Sequence, residues 1–200
     1  MPPESAGGAA FLLASGSPRR REILSAAGWR FEVVDPGDDG PSQASSPDAR
    51  VLDHARFKAA TVVARHPGRV VLAADTLVFA AGRVLPKPAD RAEAETMLRL
   101  LSGRLHEVWT GVVVVDAAGR RHEAADRAEV AFRAIPEPEL EAYLAGPEWA
   151  DKAGAYGIQG TAGAWAQLRS GELETVVGLS ARTAGRLLVA AGACPRGGGG

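Results

Sequence analysis

The sequence predicts an α/β fold in which helices flank a mixed β-sheet. Short apolar runs typical of buried strands alternate along the chain with segments whose apolar residues recur at helical spacing. The 200 residues are 46% hydrophobic and 24% charged, so the chain can bury a substantial core without disulfides. We place one domain at residues 9–192 and expect flexible ends at residues 1–8 and 193–200.

The N-terminal half predicts alternating strands and helices. We expect a strand at residues 11–14, a helix at 18–27, a strand at 30–34, a helix from 47 to about 66 and a strand at 69–75. Ser17 is the predicted N-cap of the first helix, because Pro18 suits a first helical turn. The run at 69–75 is continuously apolar and ends on Asp75, which indicates a central strand buried on both faces.

The C-terminal half continues the alternation. We expect a helix at residues 89–103, strands at 106–115 and 127–135, a helix at 136–145, strands at 164–168 and 172–179, and a helix at 180–191. Residues 151–160 are rich in glycine, and their apolar residues follow neither the spacing of a helix nor the alternation of a strand. This second half therefore predicts more strands for the same sheet, with one irregular segment between them.

Charge and cysteine content narrow the class of protein. The 23 basic and 24 acidic residues leave a net charge of −1, whereas nucleic-acid and membrane-surface binding need a basic excess, so we expect neither partner. The one cysteine, Cys194, provides no disulfide framework and indicates a reducing compartment. No apolar stretch reaches eighteen residues and no basic signal start is present. We expect a cytoplasmic enzyme or binding protein.

The stretch "LLASGSPRRREIL" at residues 12–24 places three arginines, Arg19 to Arg21, in the first turn of the first predicted helix. A strand, a small-residue turn and a helix N-terminus together bind anions through backbone N–H groups and the helix dipole. Cations there disfavour the helix unless a polyphosphate neutralises them, and arginine grips phosphate in two places. A solvated arginine run is the alternative, and the stretch alone leaves both interpretations open.

Three further segments carry chemically useful side chains. Asp75, followed by Thr76, lies where open α/β sheets place ligands, so its carboxylate could hold a divalent cation or deprotonate a water; a turn or an ion pair is the alternative. Lys58 on a helix and Lys87 between two prolines could contact phosphate, or could be surface lysines. The segment "DKAGAYGIQG" at 151–160 interleaves polar side chains with glycines, which allow close approach to a ligand or merely form a turn.

The chain resembles the Maf family of nucleoside triphosphate pyrophosphatases, also called septum formation proteins. The matching pieces, in family order, are "LLASGSPRRREIL", "ARFKAA", "AADTLVF", "LPKP", "LSGRLHEVWTGV" and "DKAGAYGIQG". The resemblance implies an elongated α/β fold like that of inosine-triphosphate pyrophosphatases, with two lobes around a cleft, and commonly a homodimer. It also implies hydrolysis of a nucleoside triphosphate to the monophosphate and pyrophosphate with a divalent metal, Mg²⁺ or Mn²⁺.

The resemblance also assigns roles to residues of this chain. Asp75 would be the proton acceptor and a metal ligand, and the second metal contact would either have moved to Asp39 or have been lost. The substrate-specificity positions would be Arg19, Thr76 and Gln159. The residues implied around the phosphates are Ser17, Arg20, Lys58, Lys87 and Lys152.

The intact Pro18-Arg19-Arg20 and the presence of Gln159 favour the family members that act on dTTP and UTP. The implied role is removal of unwanted and modified pyrimidine nucleotides, with a possible link to cell-division arrest. Two alternatives stay open: hydrolysis of 7-methyl-GTP, and a nucleotide-binding regulator of septum formation that does not hydrolyse. The second is motivated by Asp38-Asp39-Gly40, where glycine replaces the glutamate usual in the family.

Overall fold

The computed structural model describes residues 10–195, so the predictions for residues 1–9 and 196–200 lie outside the described part of the chain. Its strands are β1 (Phe11–Ala14), β2 (Phe31–Val34), β3 (Val71–Ala80), β4 (Arg83–Leu85), β5 (Leu105–Val115), β6 (Arg121–Phe132) and β7 (Ala166–Ser170). Its helices are α1 (Pro18–Ala26), α2 (Pro47–Arg65), α3 (Arg91–Leu101), α4 (Glu137–Leu144), α5 (Leu173–Val177) and α6 (Ala181–Ala190). The predicted α/β class with a mixed sheet is confirmed.

All seven strands belong to one sheet in the order β2-β1-β3-β5-β6-β7, with β4 paired to the far end of β3. β1 runs parallel to β2 and β3, whereas β3, β5, β6 and β7 pair antiparallel. β3 is the strand at which the pairing changes, because it pairs parallel with β1 on one side and antiparallel with β5 on the other. Within residues 10–195, no helix is both long and apolar enough to cross a membrane.

β3 corrects the expectation that the apolar run ends on Asp75. The strand continues to Ala80, and Asp75 lies in its middle. β1 stops at Ala14 opposite Ala73, but β5 continues alongside and pairs Phe79 with Glu107, so the backbone of β3 keeps its hydrogen-bond partners. Asp75 is therefore placed just beyond the carboxyl end of β1, at the edge where open α/β sheets bind ligands.

The expected strand at 172–179 is wrong, since residues 173–177 form the short helix α5. Gly178 has a φ of +132°, and its N–H, like that of Leu179, donates to the carbonyl of Glu174. This closure turns the chain before a strand can extend, despite the β-branched residues that favour one. The expected strand at 127–135 also begins earlier, at residue 121, because the turn after β5 starts a direct hairpin.

Side chains of the sheet form three hydrophobic clusters. At one end, alternate residues of β1, β3 and β5 pack against α2 on one face and against α6 on the other. The third cluster lies at the opposite end of β3 and β5 and includes residues of α3 and α4. Cores at two ends of shared strands fit the expected two lobes. Ala193 is buried at 6% exposure, so the packed chain extends one residue past the predicted boundary at 192.

Gly111 of β5 pairs with Asp75, and its missing side chain leaves room for α2. A Cβ at this position would lie 2.7 Å from both the carbonyl carbon and the carbonyl oxygen of Val51. Real Cβ atoms essentially never approach backbone so closely, and Val51 opens the turn of α2 that carries the residues facing Asp75. The glycine therefore sets the distance between α2 and the middle of β3.

We expect Gly111→Ala to lower the free energy of unfolding by about 1–3 kcal/mol, because overpacking displaces α2 from the sheet. Urea unfolding monitored by circular dichroism measures the change. Gly185→Ala in α6 is the matched control, since the nearest atom to an added Cβ there is 3.9 Å away. Equal stability of the two variants would contradict the close approach of α2 at Gly111.

Candidate active site

One cavity of about 670 Å³ lies between the two lobes. Its walls come from the turn after β1, the loop after β2, Lys58 of α2, the middle of β3, residues 151–160 and the C-terminal end of α5 with Gly178. The structure brings every residue of the predicted site to this one cavity: Ser17, Arg19, Arg20, Asp39, Lys58, Asp75, Thr76, Lys87, Lys152 and Gln159. Segments that are far apart in sequence thus meet at one cavity, as the family resemblance implies.

Asp75 is the most buried acidic group of the cavity, with 8% exposure. Its Oδ2 accepts from Nδ1 of His54 at 3.0 Å, and its Oδ1 accepts from Nζ of Lys58 at 2.7 Å. Burial by itself raises the pKa of this carboxyl, but the hydrogen bonds and the charges of Lys58 and Arg20 outweigh it and hold the pKa at about 2. Asp75 is consequently ionised throughout the neutral range.

Lys58 joins two carboxylates. Its Nζ lies 2.6 Å from Oδ1 of Asp39 and 2.7 Å from Oδ1 of Asp75, and the residue is 7% exposed. Gly40 keeps the Asp39 loop against α2: its φ is +70°, and a Cβ there would lie 2.3 Å from the ring of Phe57. The glycine that departs from the family pattern thus permits the contact between Asp39 and Lys58.

His54 is the site residue that the sequence analysis missed. It lies one helical turn before Lys58 on α2, so both side chains extend from the same face of the helix to Asp75. The i, i+4 spacing of a histidine and a lysine was the available signal. It could be recognised only with the knowledge that this face covers Asp75.

Arg20 is a brace within the wall of the cavity. Its Nε donates to the carbonyl of Gly178 at 2.9 Å, its Nη1 to Oγ of Ser15 at 3.1 Å and its Nη2 to Oγ1 of Thr76 at 3.1 Å. The residue is 9% exposed, and burial lowers the pKa of its guanidinium. These bonds tie the turn after β1 to β3 and to the end of α5, so they account for the buried guanidinium of Arg20 without a bound phosphate.

Arg19, Lys87 and Lys152 provide the more accessible positive charges of the cavity. Arg19 is half-buried and Lys87 is exposed, and neither makes an ion pair with another residue between 10 and 195. Nζ of Lys152 lies 3.0 Å from Oδ1 of the exposed Asp151. A ligand that carries several negative charges would therefore meet cations on separate walls of the cavity.

Residues 151–160 combine structural and accessible side chains. Tyr156 is 6% exposed, and its Oη lies 2.8 Å from Nε2 of the buried His106, so both belong mainly to the core. Gly154 has a φ of +68° and packs against Val78, which holds the segment on β3. Gln159, in contrast, is exposed at the cavity, where its amide can both donate and accept.

One carboxylate oxygen of Asp39 and one of Asp75 each contact Nζ of Lys58, which lies between them. Carboxylate oxygens are the hard donors that Mg²⁺ or Mn²⁺ prefers, so the chemistry of the pair fits the metal that the family resemblance implies, and Lys58 would have to yield its position to that metal. A second acidic group, Glu95, Glu137 and Glu141, lies on the surface. Its members form ion pairs with Arg91 and Arg99, which account for their proximity.

Acid should remove part of the stability that Asp75 provides. Its pKa is about 2 in the folded protein against an ordinary 3.8, so the folded state binds fewer protons than the unfolded state in acid. Its contribution, about 2 kcal/mol, is complete above pH 5 and is lost as the pH falls through 2. We expect urea unfolding to show a smaller loss between pH 7 and pH 3 for Asp75→Asn than for the wild type. Parallel losses would contradict the low pKa.

The chain matches one family model and is similar to several named proteins. A family model described as Maf-like protein matches residues 10–191. A dTTP/UTP pyrophosphatase of Deinococcus radiodurans is 44% identical over 192 residues, which cover 96% of this chain and 97% of that protein. A dTTP/UTP pyrophosphatase of Bacillus anthracis is also 44% identical, over 169 residues that cover 84% of this chain and 88% of that protein.

Solved structures overlap with part of the chain. A dITP/XTP pyrophosphatase of Mycobacterium abscessus aligns with a TM-score of 0.42 at 21% identity, covering 63% of this chain and 75% of that chain. The Ham1 protein of Staphylococcus aureus aligns with a TM-score of 0.46 at 13% identity, covering 61% and 71%. The fold described above rests on the chain's own sheet and helices.

Proposed function

The chain belongs to the family of Maf-like proteins, and on this basis we propose that it hydrolyses dTTP and UTP to the monophosphate and pyrophosphate. Two relatives that share 44% of their aligned residues with it bear the name dTTP/UTP pyrophosphatase. The observation that carries the proposal is the ionised, buried Asp75 in a cavity that also presents cations on several walls. Phosphoryl transfer requires such positioning and charge stabilisation more than covalent chemistry.

Asp75 is the proposed proton acceptor for the water that cleaves the bond between the α- and β-phosphates. Its low pKa makes it a weak base before substrate binds. A triphosphate beside it adds negative charge, which disfavours the ionised carboxylate and raises its pKa toward a useful range. Lys58 and His54 keep the carboxylate in place while the proton is transferred.

Arg19, Lys87 and Lys152 are the proposed phosphate ligands, since their charged groups are accessible from the cavity. Arg20 and Ser17 shape the turn that faces the phosphates, Arg20 through its bonds to Ser15 and Gly178. Gln159 and Thr76 are the proposed specificity residues. Thr76 is held by Arg20 and by Thr110, whose Oγ1 lies 2.9 Å away, so its hydroxyl has a fixed position.

A divalent cation would be held by Asp39 and Asp75 and would neutralise charge on the phosphate oxygens. Lys58 contacts the same two oxygen atoms, so it and the cation would share or exchange these partners. Asp39 would thus take the place of the glutamate usual in the family, and Gly40 allows the loop that carries Asp39 to pack against Phe57 of α2.

A nucleotide panel tests the activity. Purified protein is incubated with dTTP, UTP, CTP, GTP, dATP and 7-methyl-GTP, with Mg²⁺ or Mn²⁺, and the monophosphate and pyrophosphate are separated by anion-exchange chromatography. We expect the highest kcat/KM for dTTP and UTP. Absence of pyrophosphate from every triphosphate would overturn the proposal, and tight binding without hydrolysis would instead favour a nucleotide-binding regulator. Selectivity for 7-methyl-GTP would assign the chain to the other subfamily.

We also propose a homodimer and a link to cell-division arrest, which the family resemblance implies, and a cytoplasmic location without a nucleic-acid partner, which the charge and cysteine content predict. The near-neutral net charge of −1 supports the part that excludes nucleic acid. Light scattering after size-exclusion chromatography measures the oligomeric state. A monomer at micromolar concentration would remove the dimer from the proposal and leave the activity unaffected.

A further inference from the structure

His54 contacts Asp75 without lining the cavity. Its Nδ1 lies 3.0 Å from Oδ2 of Asp75, and its side chain is 21% exposed. The walls of the cavity, as the described residues form them, include Lys58 and Asp75 but not His54. A ligand in the cavity would therefore meet Asp75, while His54 approaches the same carboxylate from the helix behind it.

The position of His54 is imposed by close packing. Gly111 is the cross-strand partner of Asp75, and only its lack of a Cβ lets the backbone at Val51 reach the sheet. Because paired residues on neighbouring strands present their side chains to the same face, the Asp75 side chain points toward this part of α2. His54 follows Val51 by three residues, and Lys58 follows His54 by four, so the helix presents both to one carboxylate.

The two contacts divide the carboxylate between two donors. Lys58 binds Oδ1 and His54 binds Oδ2, so rotation about the last torsion of Asp75 would break both hydrogen bonds. That torsion is otherwise broad, which means that a single donor would leave the second oxygen free to reorient. Since an ionised carboxylate only accepts, the hydrogen of the His54 contact resides on Nδ1. The other ring nitrogen is not part of this interaction.

We propose that His54 is a positioning residue, which holds Asp75 in the orientation that its reaction needs and does not itself contact substrate. This role rests on the pyrophosphatase activity proposed above. Displacement of a reacting group by about 1 Å can cost about 100-fold in rate, so a fixed orientation of Asp75 has a direct kinetic value. Loss of His54 should accordingly affect turnover rather than substrate binding.

Two substitutions separate this role from a purely structural one. His54→Leu removes the hydrogen-bond donor but introduces a side chain of high helix propensity. His54→Asn keeps an N–H group near the position of Nδ1. We expect His54→Leu to lower kcat for dTTP roughly tenfold, the size usual for losing a residue that orients a ligand-contacting group. KM should stay within about twofold of the wild type, because ground-state binding is untouched. His54→Asn should recover most of kcat.

Two readouts besides activity accompany the kinetics. Thermal unfolding establishes that both variants are folded at the assay temperature. Proton NMR with ¹⁵N-labelled histidine should show an Nδ1–H resonance for His54. We expect this resonance to be lost in His54→Asn, which identifies it, and to shift in Asp75→Asn. Absence of that resonance would overturn the contact on which the proposal stands.

Different outcomes test the positioning role of His54 and the pyrophosphatase activity. If the wild type is active and folded His54→Leu has an unchanged kcat, the positioning role is overturned while the pyrophosphatase activity stands. If kcat falls but His54→Asn is equally impaired, or KM rises in proportion, the orientation of Asp75 is not what His54 provides. A wild type inactive on every triphosphate overturns the activity and with it this role.

Discussion

Asp75→Asn is expected to lower kcat for dTTP by about 10³-fold, the central size of a lost general acid–base contribution. Asparagine has nearly the same shape but cannot take a proton from water. The hydrogen bond from Lys58 can persist on the amide oxygen, so the cavity should keep its form. Substrate binding measured by calorimetry should survive, because the cations on the other walls remain. Steady-state kinetics and calorimetry on the same preparation provide the two numbers.

Asp116→Asn is the control for loss of a buried carboxylate in general. Asp116 is 6% exposed, and hydrogen bonds from the backbone and side chain of Arg120 hold its pKa at about 2, as for Asp75. It lies in the turn between β5 and β6, outside the cavity. Its substitution should reduce stability without changing kcat at a temperature where both variants are folded. An Asp75→Asn variant as active as Asp116→Asn would remove Asp75 from the proton-acceptor role.

Arg20→Lys is expected to lower the free energy of unfolding by about 3 kcal/mol, although the charge is conserved. A lysine can satisfy one of the three acceptors that Arg20 reaches, so two buried hydrogen bonds from a charged donor are lost, each of about 1.5–3 kcal/mol. Part of that cost is offset where water or a shifted side chain re-forms a contact. Urea unfolding at pH 7 measures the difference.

Arg21→Lys provides the matched control, because Arg21 is the next residue of α1 and is exposed. An exposed arginine on a helix should tolerate lysine within about 0.5 kcal/mol. If the two variants are equally stable, the bonds of Arg20 to Ser15, Thr76 and Gly178 do not brace the cavity wall. The two substitutions thus distinguish the buried, structural Arg20 from the exposed Arg21 that follows it.

The sequence was sufficient for most elements because their boundaries are determined locally. Ser180 caps α6 by accepting from the N–H of Thr183, and Gly28 and Gly103 adopt positive φ just after α1 and α3, as their positions predict. The strand that fails, at 172–179, is too short for periodicity to separate helix from strand. Its β-branched residues favour extension, but Gly178 and the backbone bonds to Glu174 end it as a helical turn.

The sequence predicts which residues form the site but not how those residues contact one another. The quoted motifs identify residues that meet in the cavity, yet nothing in them distinguishes Arg20, which braces the wall, from Arg19, which remains accessible. The end of β3 was misplaced at Asp75 because a carboxylate usually interrupts a buried run. Here the ion pair with Lys58 and the hydrogen bond from His54 stabilise the carboxylate, so the strand continues through it. Such compensation depends on long-range packing that no local pattern records.

The continuity of β3 and β5 through both lobes bears on how the protein unfolds. Val71 to Ala74 and Val112 to Val115 belong to the clusters at one end, whereas Val78, Ala80 and Val108 belong to the cluster at the other. Neither lobe can lose its strands without exposing the core of its neighbour, so the two should melt together. We expect one calorimetric transition with matching van't Hoff and calorimetric enthalpies. The walls of the cavity would then owe their fixed separation to a single cooperative unit, rather than to two bodies joined by a hinge.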